Sequence, residues 1–132
     1  MHLDHLAIAV HSLADAVPRW ERQLEASASP PEEVPTQRVR VAFLDVGNTH
    51  LEFLEPAAAD SPIAKFLEGR KEGMHHIAFA VPSVDRKLAE LQAAGVRVID
   101  SVARPGARGR RVGFAHPSAF GGVLVEFVEG PR

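Results

Sequence analysis

Two histidines and two glutamates carry the chemistry this sequence could perform. His5 lies in Leu3-Asp4-His5-Leu6-Ala7-Ile8-Ala9-Val10, and His76 lies in Met74-His75-His76-Ile77-Ala78-Phe79-Ala80-Val81, 71 residues further on. Glu52 lies in Leu51-Glu52-Phe53-Leu54-Glu55, and Glu126 lies in Val123-Leu124-Val125-Glu126-Phe127-Val128-Glu129, 74 residues further on. Each stretch reads as a strand, in which residues i and i+2 share a face. His5 therefore shares a face with Ala7 and Ala9, and His76 with Ala78 and Ala80, while the bulky residues look the other way. Glu52 shares its face with His50 and Leu54, and Glu126 with Leu124 and Val128. Taken singly, a strand His is an ordinary half-exposed residue and a strand Glu an ordinary solvated one. Four such residues at equivalent places in a repeat, with agreeing facing, are expected to converge. A buried carboxylate without a partner is expensive, and two imidazoles with two carboxylates suit a divalent ion such as Zn, Co, Ni, Mn or Fe. Six-fold coordination would leave two positions for substrate or water, which is an open, catalytic type of site.

The elements that must position these residues repeat as well. After the first strand, Ser12 can cap a helix whose apolar residues Leu13, Val17, Trp20 and Leu24 recur at helical spacing, with Pro18 expected to kink or restart it. Residues 27–35, rich in Pro and Ser, read as a loop. Residues 38–46 and 50–55 read as a hairpin around Gly47-Asn48-Thr49. Ser61-Pro62 opens a short linking helix. In the second half Ser83 caps a helix with the apolar residues Val84, Leu88 and Leu91, which Gly95 stops. Residues 96–102 read as a strand, 104–111 as a Gly- and Arg-rich loop, and 111–115 with 123–128 as a closing hairpin. One strand-helix-strands module is used twice.

At 132 residues with a formal charge of -2, the chain is expected to be one domain with no nucleic-acid or membrane partner. With no cysteine there is no thiolate nucleophile, disulfide or Cys-based zinc site. No apolar stretch reaches the length of a membrane span, and no basic n-region opens the chain, so the expected location is the cytoplasm.

The sequence resembles the vicinal-oxygen-chelate superfamily and, within it, the methylmalonyl-CoA epimerase family. The residues that carry the likeness are Leu3-Asp4-His5, Leu51 to Pro56, Asp60 to Leu67, Gly73 to Phe79, His116-Pro117 and Gly121 to Glu126. The resemblance implies an α+β fold in which two tandem βαβββ modules form a curved mixed sheet around a metal-binding cavity. In that glyoxalase-like fold, module one is 1–58, a linker helix 59–72 and module two 73–132. It implies His5, Glu52, His76 and Glu126 as ligands of a divalent metal ion (Co, Zn, Ni or Mn). It further implies a metal-dependent epimerase that interconverts the 2R and 2S epimers of methylmalonyl-CoA by removing the C2 proton through a metal-stabilised enolate. Inversion needs an acid/base group on each face of C2. Glu126 is the first candidate; because Val41 stands where some members carry Glu, Glu52, a metal-bound water or another residue supplies the second face, or the reaction differs. Ser118 replaces a frequent Lys, and Leu24-Glu25-Ala26 lacks the usual Gly. An acyl-CoA substrate would meet Ser61 and Lys65 at the linking helix and Arg104 and Arg108 in the loop it shares with Arg110 and Arg111. A homodimer is expected by analogy.

The remaining histidines are read as structural or surface residues. His75 faces away from His76, His2 and His11 lack counterparts, His116 ends a strand, and His50 shares the face of Glu52. Three alternatives compete. A lactoylglutathione lyase-type isomerase would use nearly the same four ligands. An extradiol-type dioxygenase would need the Glu52 position open. A non-catalytic resistance protein that binds small molecules would need no metal.

Overall fold

The alternating stretches form strands β1 (His2–Ala9) and β5 (Gly73–Ala80). The structure, a computed structural model, describes residues 1–131. It divides into two compact units: His5–His75, and residues 1–4 with those from His76 onward. The fold is α+β, with the order βαβββ occurring twice.

In the first unit β1 is followed by α1 (Leu13–Leu24), β2 (Glu32–Val34), β3 (Val39–Asp45) and β4 (His50–Pro56), and then by α2 (Pro62–Phe66). The strands lie in the order β2-β3-β4-β1, with β1 parallel to β4 and the other pairs antiparallel. One face of this sheet packs Ile8, Ala42, Leu44 and Phe53 against Leu13 and Ala16 of α1, with Val17 and Trp20 at the edge of the cluster. Burial of Phe53 alone contributes about 2–3 kcal/mol. Ser12 Oγ accepts the Asp15 N–H at 3.3 Å, and Glu55 Oε1 accepts the Leu13 N–H at 2.8 Å, so two of the helix's first amides are satisfied. The expected break at Pro18 is absent. The helix runs through it, because its buried stripe lies on the sheet on both sides of the proline. The loop expected over 27–35 holds the three-residue strand β2, an edge strand short enough to fit between Pro31 and Pro35.

Glu25 ends α1 in the left-handed region, at φ +54°. A side chain there is strained, and glycine is not. Glu25→Gly is therefore expected to stabilise the fold by about 0.5–1 kcal/mol, a rise of about 2–4 °C in Tm by calorimetry.

The second unit repeats the plan with β5, α3 (Val84–Ala93), β6 (Arg104–Pro105), β7 (Arg111–Ala115) and β8 (Val125–Glu129), in the order β5-β8-β7-β6. Val84, Leu88, Ala115, Val125 and Phe127 form its helix-side core. The devices of the first unit return at matched positions. Ser83 Oγ accepts the Arg86 N–H at 3.2 Å, and Glu129 Oε1 accepts the Val84 N–H at 2.8 Å. Gly95 takes φ +77° just past the helix. At Gly113 a Cβ would come within 2.7 Å of Leu88 Cδ1, so a larger residue would have to displace that buried side chain of α3.

The strand expected over 96–102 does not form. Only an isolated bridge joins Val98 to Ala115, matching the one between Ala28 and Leu44 in the first unit. Val98 packs against the helix-side core while Ile99 and Val102 are exposed, so the alternating residues are only partly buried and make a single bridge instead of a ladder. The second strand of the module is β6, inside the stretch expected to be loop. Asp85 at the start of α3 accepts the Ala103 N–H at 2.7 Å and the Arg111 guanidinium at 2.6 Å, which hold its carboxyl below the usual carboxylate range. That tie is complete at neutral pH and is lost only as the pH falls through the lowered value.

Candidate active site

The face of each sheet turned away from its helix carries the residues singled out by the sequence. In the first unit the parallel register sets His5 beside His50 and Ala7 beside Glu52. His5 Nε2 lies 3.3 Å from Glu52 Oε1, and both residues are buried. Phe43 stands opposite Glu52 on β3. Its ring meets the His5 imidazole edge-on, with centroids 6.1 Å apart at 84°. In the second unit Ala78 pairs with Glu126, and His76 Nε2 lies 3.4 Å from Glu126 Oε1, again with both residues buried. Phe114 stands opposite Glu126 on β7 and meets His76 edge-on at 5.2 Å and 86°.

The chemistry of this donor set fits a metal ion. A neutral imidazole nitrogen and a carboxylate oxygen are both electron-pair donors when neither carries a proton, and burial removes the water that would otherwise separate them. Two atoms that each bind a cation at about 2.1 Å in adjacent coordination positions stand roughly 3.0–3.4 Å from one another. The separations of 3.3 and 3.4 Å agree with that spacing in both units.

Phe43 and Phe114 were not singled out from the sequence. They lie 71 residues apart, the same offset as His5 and His76, so the signal was present. Each closes one side of its imidazole and restricts rotation about the ring's own bond.

The residues expected to meet a CoA group fall into different environments. Ser61 is buried, and its Oγ accepts the Ile63 N–H at 3.1 Å as the cap of α2. Lys65 is exposed on the same helix. Arg104 lies 3.2 Å through Nε from Asp100 Oδ1, with its guanidinium over the Phe114 ring at 5.6 Å. Arg108 is exposed at φ +59°. Arg110 departs from the phosphate-binding cluster suggested by the loop's composition. It is buried, makes two 2.9 Å bonds to the Asp4 carboxylate and donates a third to the Gly130 carbonyl. Arg111 is held by Asp85.

The other histidines have local roles. His75 packs edge-on against Phe66 at 4.9 Å, as its facing implied. His116 Nδ1 accepts the Ser118 N–H at 3.0 Å and so caps the turn that follows. His11 Nε2 lies 3.0 Å from the Arg70 carbonyl, a contact its sequence position did not suggest. His50 is half-buried, 3.8 Å from the Asp45 carboxylate.

Residues 4–114 match the Glyoxalase/Bleomycin resistance protein/Dioxygenase superfamily. The chain is 40% identical over 125 residues to the mitochondrial methylmalonyl-CoA epimerase of Bos taurus, covering 94% of this chain and 71% of the bovine protein. It is 40% identical over 126 residues to the ethylmalonyl-CoA/methylmalonyl-CoA epimerase of Cereibacter sphaeroides, covering 94% of each. Among solved structures it superposes with a TM-score of 0.92 and 36% identity on a variant of the Streptomyces coelicolor methylmalonyl-CoA epimerase in complex with 2-nitronate-propionyl-CoA. That match covers 100% of this chain and 96% of the other.

Proposed function

Since the chain belongs to the methylmalonyl-CoA epimerase family of the glyoxalase/bleomycin resistance protein/dioxygenase superfamily, we propose that it is an isomerase that inverts C2 of methylmalonyl-CoA. The observation that carries this reading is the duplicated buried His–Glu pair, set in each unit at the separation of neighbouring metal ligands. We propose His5, Glu52, His76 and Glu126 as the ligands of one divalent ion, with Co, Zn, Ni and Mn all compatible with the donors. When bound, such an ion supplies Lewis acidity for the negative charge that develops as C2 loses its proton.

The chain's own residues do the rest. The Glu126 carboxylate takes the C2 proton on one face, through the oxygen that is not used as a ligand. Phe43 and Phe114 hold the two imidazoles in one orientation, so the donor atoms need no rearrangement when substrate arrives. Lys65, Arg104 and Arg108 supply positive charge for the CoA phosphates, and Ser61 serves by fixing the first turn of α2 beneath Lys65. Arg110 is left out of that group because it is buried and its two terminal nitrogens bind Asp4 and the Gly130 carbonyl. Among the described residues no helix is long and apolar enough to cross a membrane. We extend the proposal to a homodimer, as the resemblance implies, acting in the cytoplasm.

The test uses protein loaded with cobalt and one epimer of methylmalonyl-CoA in deuterated water. Both deuterium uptake at C2, followed by NMR, and appearance of the other epimer are expected. Both should fall at least 100-fold after dialysis against a chelator and return with added cobalt. Turnover of the methylglyoxal–glutathione hemithioacetal, with no C2 exchange, would overturn the reading in favour of a lyase.

A further inference from the structure

Inversion at a carbon requires a proton to leave on one face and arrive on the other, and one carboxylate cannot reach both. If Glu126 works one face, as proposed above, a second group must work the opposite one. The site-bearing face of the first unit offers few candidates. Its rows run Asp45, His50 and His5; Phe43, Glu52 and Ala7; and Val41, Leu54 and Ala9. Val41, Leu54 and the alanines cannot carry a proton. His5 is proposed as a ligand, and Glu52, a proposed ligand like Glu126, is the rival carrier that the Glu52→Gln variant tests. Asp45 is exposed and accepts the Gly47 N–H at 2.8 Å within its own hairpin turn, and His50 is directed to that turn, with its Nε2 3.8 Å from the Asp45 carboxylate.

One further carboxylate lies on this face. The antiparallel register of β2 sets Glu32 directly opposite Val41, and therefore on the same side of the sheet as Val41, Leu54 and Glu52. Its neighbour Glu33 pairs with Arg40 and looks the other way. Glu32 is half-buried, whereas Glu33 is exposed. A proton carrier needs such a position, sheltered enough to hold its proton for the substrate and open enough to exchange it with water.

The repeat adds an independent indication. The position equivalent to Glu32 in the second unit is Arg104, opposite Val112 on its own edge strand. The helix caps, the strand-end glutamates, the two buttressing phenylalanines and the His–Glu pairs keep the same residue type in both units. This edge position alternates between an acid and a base, so the fold does not dictate its charge.

We propose that Glu32 is the second acid/base of the epimerisation, an inference that rests on the epimerase reading above. In one direction the C2–H bond breaks, its proton passes to the Glu126 carboxylate and its electron pair stays with the substrate as an enolate. The O–H bond of protonated Glu32 then breaks, and a new C2–H bond forms on the opposite face. The reverse direction exchanges the two roles. No oxidant or co-reactant is consumed.

The experiment compares wild type, Glu32→Gln and Glu33→Gln with each pure epimer in deuterated water, following C2 exchange and inversion separately. Glu32→Gln is expected to lower inversion about 100-fold or more. It should keep rapid exchange with retention for the epimer whose hydrogen faces Glu126, and lose exchange for the other epimer. Glu33→Gln should match wild type throughout. Glu32→Asp, which keeps the acid but shortens it, should restore part of the inversion and none of the asymmetry of the Gln variant. Inversion by Glu32→Gln at the wild-type rate, or equal loss of exchange from both epimers, would overturn the assignment. A wild type inert toward both epimers would instead overturn the epimerase reading, and this proposal with it.

Discussion

Replacing Arg110 by methionine is expected to destabilise the fold by about 3–5 kcal/mol, lowering Tm on the order of 10–20 °C. The guanidinium makes two 2.9 Å bonds to Asp4, with the side chains only 8% and 2% exposed, and a third to the Gly130 carbonyl. Methionine fills much of the same volume, so the loss is electrostatic. It leaves the Asp4 carboxylate buried without its guanidinium, in surroundings that solvate it poorly. The double variant Asp4→Leu with Arg110→Met removes both charges and is expected to recover most of the loss, because a buried pair contributes little beyond an apolar replacement of similar shape. Urea unfolding of the three proteins measures this directly. A single variant within about 1 kcal/mol of wild type, combined with a raised KM for the acyl-CoA, would show that Arg110 serves the substrate and not the fold.

That expectation also marks where the sequence stopped being legible. Position 110 stands among four arginines in eight residues, Arg104 to Arg111, and composition treats them alike. Only the long-range contact with Asp4, 106 residues away, separates the structural arginine from the others. The duplication was readable because strands impose a strict two-residue period and the two halves differ by a nearly constant offset. That alone placed His5, Glu52, His76 and Glu126 on the correct faces. The edge strands β2 and β6 were not readable, because at three and two residues they are too short for any period to show, and prolines flank or fill both. The false strand at 96–102 failed for the opposite reason. Val96, Val98 and Val102 alternate well, but no sheet edge receives more than one bridge from them. The helix through Pro18 shows packing overriding a local breaker, since the buried stripe of α1 continues on both sides of the ring. Phe43 and Phe114 could have been found by carrying the 71-residue offset past the polar residues to the apolar ones.

Glu126→Gln and Glu52→Gln are expected to differ sharply, although the two positions are equivalent in the repeat. Both substitutions keep an amide oxygen that can hold a cation, and both keep the side chain's shape against its buried histidine. Each protein is therefore expected to bind cobalt, weakened by roughly 10–100-fold in titration calorimetry. The amide cannot take a proton from carbon. If Glu126 is the base, Glu126→Gln should lower kcat/KM for epimerisation by about 1000-fold or more, while Glu52→Gln stays within about tenfold of wild type at saturating metal. Deuterium uptake sharpens the comparison, because Glu126→Gln should lose exchange from the epimer that Glu32→Gln retains. Equal, severe losses in the Glu126 and Glu52 variants, with cobalt still bound, would mean that Glu52 carries a proton as well as a ligand oxygen, and the role given to Glu32 would pass to it. Near-normal epimerisation by Glu126→Gln would remove the carboxylate from the chemistry altogether and leave its burial beside His76 as a purely coordinating arrangement.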